Sequence, residues 1–487
     1  MALFWLGAYF YITLSWNKST TFYWQVILSR TILIAFIGLT FIWIKFHWKS
    51  FFGEKGSAHN LSIFRMVFFG FFSIGFFFTF QNLASYLLEF SHLPMSARVD
   101  LPLFSGFYQI IPLTDGLVYV AIALFGLSSI LALVGFKTRI AIAIFVITAL
   151  YIFLIPNLYG KVNHNQHIIW FSALLIFSPC ADVWSIDSWI KRKNPEPLVK
   201  AQFNYQLPFK LMWVLMSLIY FFPGFWKVWT SGLDWAFTDN VRNQMYWKWY
   251  ELGDWVPFFR IDLYPILYKF SGFYTIAFEL MFIWLIFNRR TRLLGAALGI
   301  IFHLGTWSFM NIFFVVLVIS YVSFINWENL FPFLKNKLES TSIDDLVPKR
   351  NLGLKLVAGF LIIGNLCFGV LKLNSWPLTV YPVFDTIVSD HTKTLSYSYD
   401  NEEGKKSFLE KDILKKHFTP ERYRNMEQQI IQAFEENDLD DQRSLLQSIV
   451  SVFSDTLPSK IDVYIEHISV KPADSVQVLN RKVIYPG

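Results

Sequence analysis

The amino-acid sequence predicts an all-α polytopic membrane bundle of about 10–11 transmembrane helices, with a small C-terminal extracytoplasmic α+β tail. Three observations lead there. Of 487 residues, 54% are hydrophobic and only 16% charged, with 53 Phe and 19 Trp, and the mean hydropathy is +0.42, a composition that a bilayer solvates better than water does. Apolar runs near the ~20 residues that a bilayer core requires recur along most of the chain. Lys and Arg cluster in every second loop between them, the charge asymmetry of a multi-pass protein.

In chain order the runs lie near residues 2–16, 23–47, 61–81, 115–136, 138–156, 166–183, 207–225, 269–288, 292–309, 310–327 and 354–373. Residues 2–16 lack the basic start and the small-residue cleavage site of a secretory signal, so they are expected to stay as a membrane helix. Basic clusters stand at Lys45/Lys49/Lys55, Lys137/Arg139, Lys191/Arg192/Lys193, Arg289/Arg290/Arg292 and Lys335/Lys337/Lys349/Arg350. These loops are assigned to the cytoplasm, which puts the N-terminus inside and the C-terminal tail outside. Four units follow: additional N-terminal helices in 1–57, a central membrane domain in 58–330, a cytoplasmic loop with the last membrane helix in 331–373, and a soluble tail in 374–487.

The tail has 18 acidic against 13 basic residues, so it is net −5 while the rest of the chain holds +12 of the total +7. Phe408, Leu409, Ile413, Leu414, Ile430, Ile431 and Phe434 suggest helical periodicity over 408–453, and the stretch from Asp462 to Val470 alternates as a strand does. The basic pI of about 9.0 comes from short loops and not from a basic face, so nucleic acid is not an expected partner; the lipid bilayer is. Cys180 and Cys367 both lie in apolar runs and indicate neither a disulfide framework nor a metal site. No metal is assigned, because three histidines without a matching Cys, Asp or Glu make a poor ligand set. Phosphate loops and nucleophile elbows are missing from the membrane part of the sequence, which argues against ATP-driven and serine-hydrolase chemistry.

Polar residues inside the apolar runs mark the candidate site. Lys227 ends the run 207–225 in YFFPGFWKVWTSGLDW; it either snorkels to the interface between Trp226 and Trp229 or is kept for chemistry. Asn163, His164, Asn165, Gln166 and His167 open the run 166–183, as interfacial caps or as site residues, and His303 stands among Ala297, Leu304 and Gly305 well inside 292–309. Helical rise allows Lys227, His164 and His303 to meet near the outer leaflet.

Four stretches in this order, NHNQHIIWFSALLIFSPCADVWSID (163–187), YFFPGFWKVWTSGLDW (220–235), FHLGTWSFMNI (302–312) and SWPLTVYP (375–382), resemble the horizontally transferred transmembrane (HTTM) domain family, related to the vitamin K-dependent γ-carboxylases. The resemblance covers roughly residues 58–330. It implies an outward-facing site in which a reduced quinone, of the vitamin K hydroquinone or menaquinol type, and O2 generate a strong base that deprotonates a glutamate γ-carbon, to which CO2 adds. Lys227 occupies the position of the lysine proposed to deprotonate the hydroquinone, His164 that of the NH pair and His303 that of the FH pair. Asn163, His167 and Trp226 are the candidate cofactor contacts. Burial would favour the neutral amine of Lys227, which can take a phenolic proton.

The expected function is therefore a quinol- and O2-dependent carboxylase of the lyase class, acting on glutamate or a related acceptor. The alternative is a non-catalytic membrane scaffold or maturation factor whose tail binds an exported protein or peptide. The tail is shorter than the extracytoplasmic portion of the carboxylases, and Pro223 beside Gly224 departs from their lysine block.

Overall fold

The computed structural model describes residues 18–54, 56–91, 111–159, 165–193, 204–253, 255–331, 352–379, 384–400, 405–409, 420–436, 461–472 and 478–485, with Arg98, Leu103 and Leu446. Among the described residues, eight helices are long and apolar enough to cross a membrane, each rich in residues that gain by leaving water. They are α1 (Lys18–Gly53), α2 (Ala58–Ser91), α3 (Asp115–Val134), α4 (Thr138–Leu158), α7 (Leu207–Ser231), α10 (Pro265–Phe287), α11 (Arg292–Met310) and α14 (Leu352–Val370). The expected first run, 2–16, lies outside the described residues.

Two further runs become shorter helices. Residues 166–183 give α5 (Gln166–Ile176) and an irregular segment, and 310–327 give α12 (Val315–Ser320) followed by a 3-10 turn (Tyr321–Phe324) and the start of the short α13 (Trp327–Leu330). Irregular backbone at membrane depth needs partners from within the protein. Arg65, fully buried on α2, supplies them after α5: its Nε donates to Cys180 O at 3.0 Å and its terminal nitrogens to Trp184 O at 2.6 Å and to the Ala132 and Leu133 carbonyls ending α3. Asp187, opening α6 (Ile186–Lys193), closes the same corner by accepting from the N–H of Lys137 and Thr138 at 2.8 Å each and from Thr138 Oγ1 at 2.7 Å. Burial raises the Asp187 carboxyl, but the bonds from Thr138 and Lys137 outweigh it and hold it below the usual carboxylate range. The polar exit of the 163–187 motif is thus a clasp between loops.

At the same end Arg292 donates to both carboxylate oxygens of Glu54 at 2.8 and 3.1 Å, and Lys210 donates to Glu54 O at 2.8 Å. The opposite end carries α8 (Asp234–Phe237), α9 (Asn240–Glu251) and the tail. Beyond α14 a small hairpin, β1 (Asn374–Ser375) with β2 (Leu378–Thr379), drives Trp376 and Leu378 into the membrane core, so the chain after 374 first returns to the bundle. The tail proper is an antiparallel sheet of β3 (His391–Asp400), β4 (Lys406–Phe408), β5 (Ile461–Ser469) and β6 (Val478–Tyr485) in the order β4-β3-β5-β6. Helix α15 (Pro420–Glu435) covers one face, burying Tyr423, Met426, Ile430 and Ile431 against Leu395, Tyr397 and Val463.

The strand expected around 462–470 is β5, and Ile430 and Ile431 are helical as expected. Phe408 instead lies in β4, where backbone pairing with Ser398 overrides the helical pattern. Nor is the tail a free appendage. Residues 384–389 run along α7–α9 as a strap whose carbonyls are taken by side chains: Trp235 Nε1 donates to Phe384 O, Ser231 Oγ to Asp385 O, Gln244 Nε2 to Thr386 O, Asn243 Nδ2 to Val388 O and Trp247 Nε1 to Ser389 O. Ile468 and Val470 continue the contact by packing with Met245, Tyr246 and Trp249.

Candidate functional site

Lys227 does not snorkel. Its side chain turns into the bundle, 4% exposed, and Nζ donates to both carboxylate oxygens of Glu279 at 2.8 Å; Glu279, on α10, is also 4% exposed. Two opposite charges removed from water together are held only by good geometry, and this pair has it. The Trp235 ring, with its centroid 5.1 Å from Nζ, adds a favourable π-face for the cation. Trp235 is roofed in turn by Phe384 of the strap.

Gly224 makes the pair possible. A Cβ there would lie 2.8 Å from Glu279 Cβ and 3.3 Å from the Leu280 side chain, so glycine lets α7 and α10 close to the distance at which Lys227, one turn later, meets the carboxylate.

Seven residues before Lys227, about two turns or roughly 10 Å along α7, a second buried network begins. Tyr220 Oη lies 2.6 Å from His303 Nε2 and 2.6 Å from Tyr321 Oη. Since one hydroxyl carries one proton, Tyr220 donates to one neighbour and accepts from the other, and the imidazole tautomer sets the direction. His303 Nδ1 is buried and has no hydrogen-bond partner among the described residues. Gly299 is again required, because a Cβ there would sit 1.9 Å from Tyr321 Oη. Beside Tyr321 a cavity of about 230 Å³, lined by Ala296, Ile300, Val318 and Val322, opens between α11 and α12 toward the lipid-facing side chain of Leu293.

His303 and Lys227 are therefore brought to one flank of α7 but into two networks, with Phe278 packed on Tyr220 and Glu279 bonded to Lys227 from adjacent positions of α10. His164 and Asn163 lie outside the described residues. His167 is 1% exposed on α5 against Phe171. Trp226 points away from Lys227 and donates to Gly369 O at 2.8 Å, tying α7 to α14. Sequence reasoning missed Glu279, Tyr220, Tyr321 and Trp235. Glu279 left a signal, as the only carboxylate in the apolar helix 265–287.

The HTTM domain model matches residues 54–331, more than half of the chain. The chain belongs to the HTTM domain family. No curated protein and no solved structure matches it. The HTTM domain holds both networks and both glycines that make room for them, whereas the strap and the tail sheet lie beyond it.

Proposed function

We propose that this integral membrane protein is an enzyme of the carboxylase type, quinol- and O2-dependent, with Lys227 as its base and with glutamate or a related acceptor as substrate. The observation that carries the reading is the buried Lys227–Glu279 pair inside an HTTM domain: a cation and an anion kept dry together are costly unless used. In this reading the base form is the pair short of one proton. When Lys227 takes a proton from an acidic hydroxyl held beside it, the ion pair found here is regenerated, and Glu279 offsets the charge that forms on the amine.

The residues present suit a flat, lipid-soluble ring. His303 Nδ1 is a buried polar atom still lacking a partner among the described residues, and Phe302 and Phe314 stand 5.3 Å from the His303 ring. His303 Nδ1 would hold one oxygen of such a ring and the phenylalanines its faces, which leaves the other hydroxyl for Lys227. A reduced quinone, once bound, supplies the electrons that reduce O2. Tyr220 then fixes the orientation of His303 and connects it to Tyr321 for proton exchange. By the placement of basic loops, the tail and the Trp235 roof lie on the extracytoplasmic side.

The test is quinol-dependent incorporation of labelled CO2 by purified protein in nanodiscs. Lys227→Ala is expected to abolish incorporation at normal expression and membrane insertion, and full activity in that variant would end the reading. A second reading, a scaffold that binds an exported partner through the tail, gains support from the strap, which clamps the sheet to α9. It requires Lys227→Ala to leave function intact.

A further inference from the structure

The tail sheet carries an open corner that neither the membrane site nor the family match accounts for. Helix α15 covers the Leu395/Val463 end of one sheet face and stops at Glu435, and no described element covers the other end of that face. Antiparallel partners share a face, so Lys393 pairs with His467 and His467 with Asn480 in one row across β3, β5 and β6, and Ile465 pairs with Lys482 in the next. Together with Phe434 and Glu435 from the end of α15, these side chains line a cavity of about 430 Å³.

Its charge runs against its setting. The tail is net −5, yet the cavity gathers two lysines, a histidine and a side-chain amide around one carboxylate. Glu435 is engaged by Lys393, while Lys482 Nζ rests 4.7 Å from the Phe434 ring centroid. Like-signed cations held close together on an acidic unit are favourable when an anion completes the site. Ile465 and Phe434 give it an apolar wall. One rim is β6, the edge of the sheet, whose outer backbone groups have no strand beside them among the described residues.

We infer that this corner binds an extended acidic segment of another polypeptide. The segment pairs along the free edge of β6, and its alternate side chains, pointing to the same face as Asn480 and Lys482, place carboxylates against Lys482 and toward His467, with Lys393 adding positive charge behind them. No covalent step is involved, and the inference does not depend on chemistry at Lys227: the corner lies outside residues 54–331.

The experiment uses the full chain in nanodiscs and fluorescein-labelled, C-terminally amidated ten-residue peptides of alternating Glu and Thr, or Gln and Thr, read by fluorescence anisotropy. The Glu peptide is expected to bind, to weaken as NaCl rises from 50 to 500 mM, and to lose at least tenfold in affinity in Lys482→Glu and in Lys393→Gln; the Gln peptide is not. Lys482 and Lys393 are exposed, so neither variant removes core packing. Lys405→Glu, an exposed tail lysine outside the cavity, should bind as the unaltered chain does. Equal binding of the Gln peptide, unchanged affinity in Lys482→Glu, failure of the Glu peptide to bind, or binding that requires a free peptide C-terminus would each overturn the inference.

Discussion

Removing one member of the Lys227–Glu279 pair and removing both should have very different consequences. In Lys227→Met the Glu279 carboxylate stays buried with the donor to both its oxygens gone, and in Glu279→Leu the ammonium loses both 2.8 Å contacts. Leaving a buried charge alone costs about 3–5 kcal/mol, whereas replacing a buried pair by apolar groups of similar volume is near neutral. The double variant Lys227→Met/Glu279→Leu should therefore recover most of that loss, so that the coupling in a double-mutant cycle approaches the sum of the two single losses, about 6–10 kcal/mol. Thermal unfolding in detergent, followed by tryptophan fluorescence, reads this as Tm falling by several degrees in each single variant and recovering in the double. Carboxylation assayed on the same samples should be lost in all three. Additive losses, or a Lys227→Met protein as stable as the starting one, would show that the pair is not formed in the membrane and would remove the basis for its role as a base.

Gly299→Ala should displace Tyr321 Oη, which cannot share the space with a Cβ at 1.9 Å. The Tyr220–His303 link then loses its outer partner, with an expected destabilisation of about 1–3 kcal/mol, whereas Gly305→Ala, which meets no atom within 4 Å, should be silent in the same melt. The Asp187 clasp predicts a pH dependence. Its folded carboxyl titrates below the ordinary carboxylate range, so its contribution is fully present above pH ~4 and fades as pH falls through the lower folded value. Asp187→Asn should cost about 1–2 kcal/mol at neutral pH and flatten the acid limb of the stability curve; an unchanged limb would assign that limb to other carboxylates.

Much of the molecule can be read from its residues. The membrane class follows from composition, because 53 Phe and 16% charge admit no water-soluble core of this size. The spans follow from run length, and family membership from ordered motifs. Where the reading of spans shortened, at 166–183 and 310–327, the reason was tertiary: Arg65 and the packed 3-10 turn satisfy backbone that a lone helix must satisfy itself. At Phe408 the expected helix gave way to strand pairing for a similar reason.

The sequence by itself determined that Lys227 stands at the end of an apolar run and His303 inside one, and any such residue must find water, a use or a partner. Which partner each has was decided only by how the helices pack. Lys227 and Glu279 are 52 positions apart, and Tyr220, His303 and Tyr321 come from three different elements. Their meeting depends on the rotation and closeness of α7, α10 and α11, set by Gly224 and Gly299 through side chains that are not there. A periodic pattern tells which face of a helix is buried, but not which residue of a neighbour it will face.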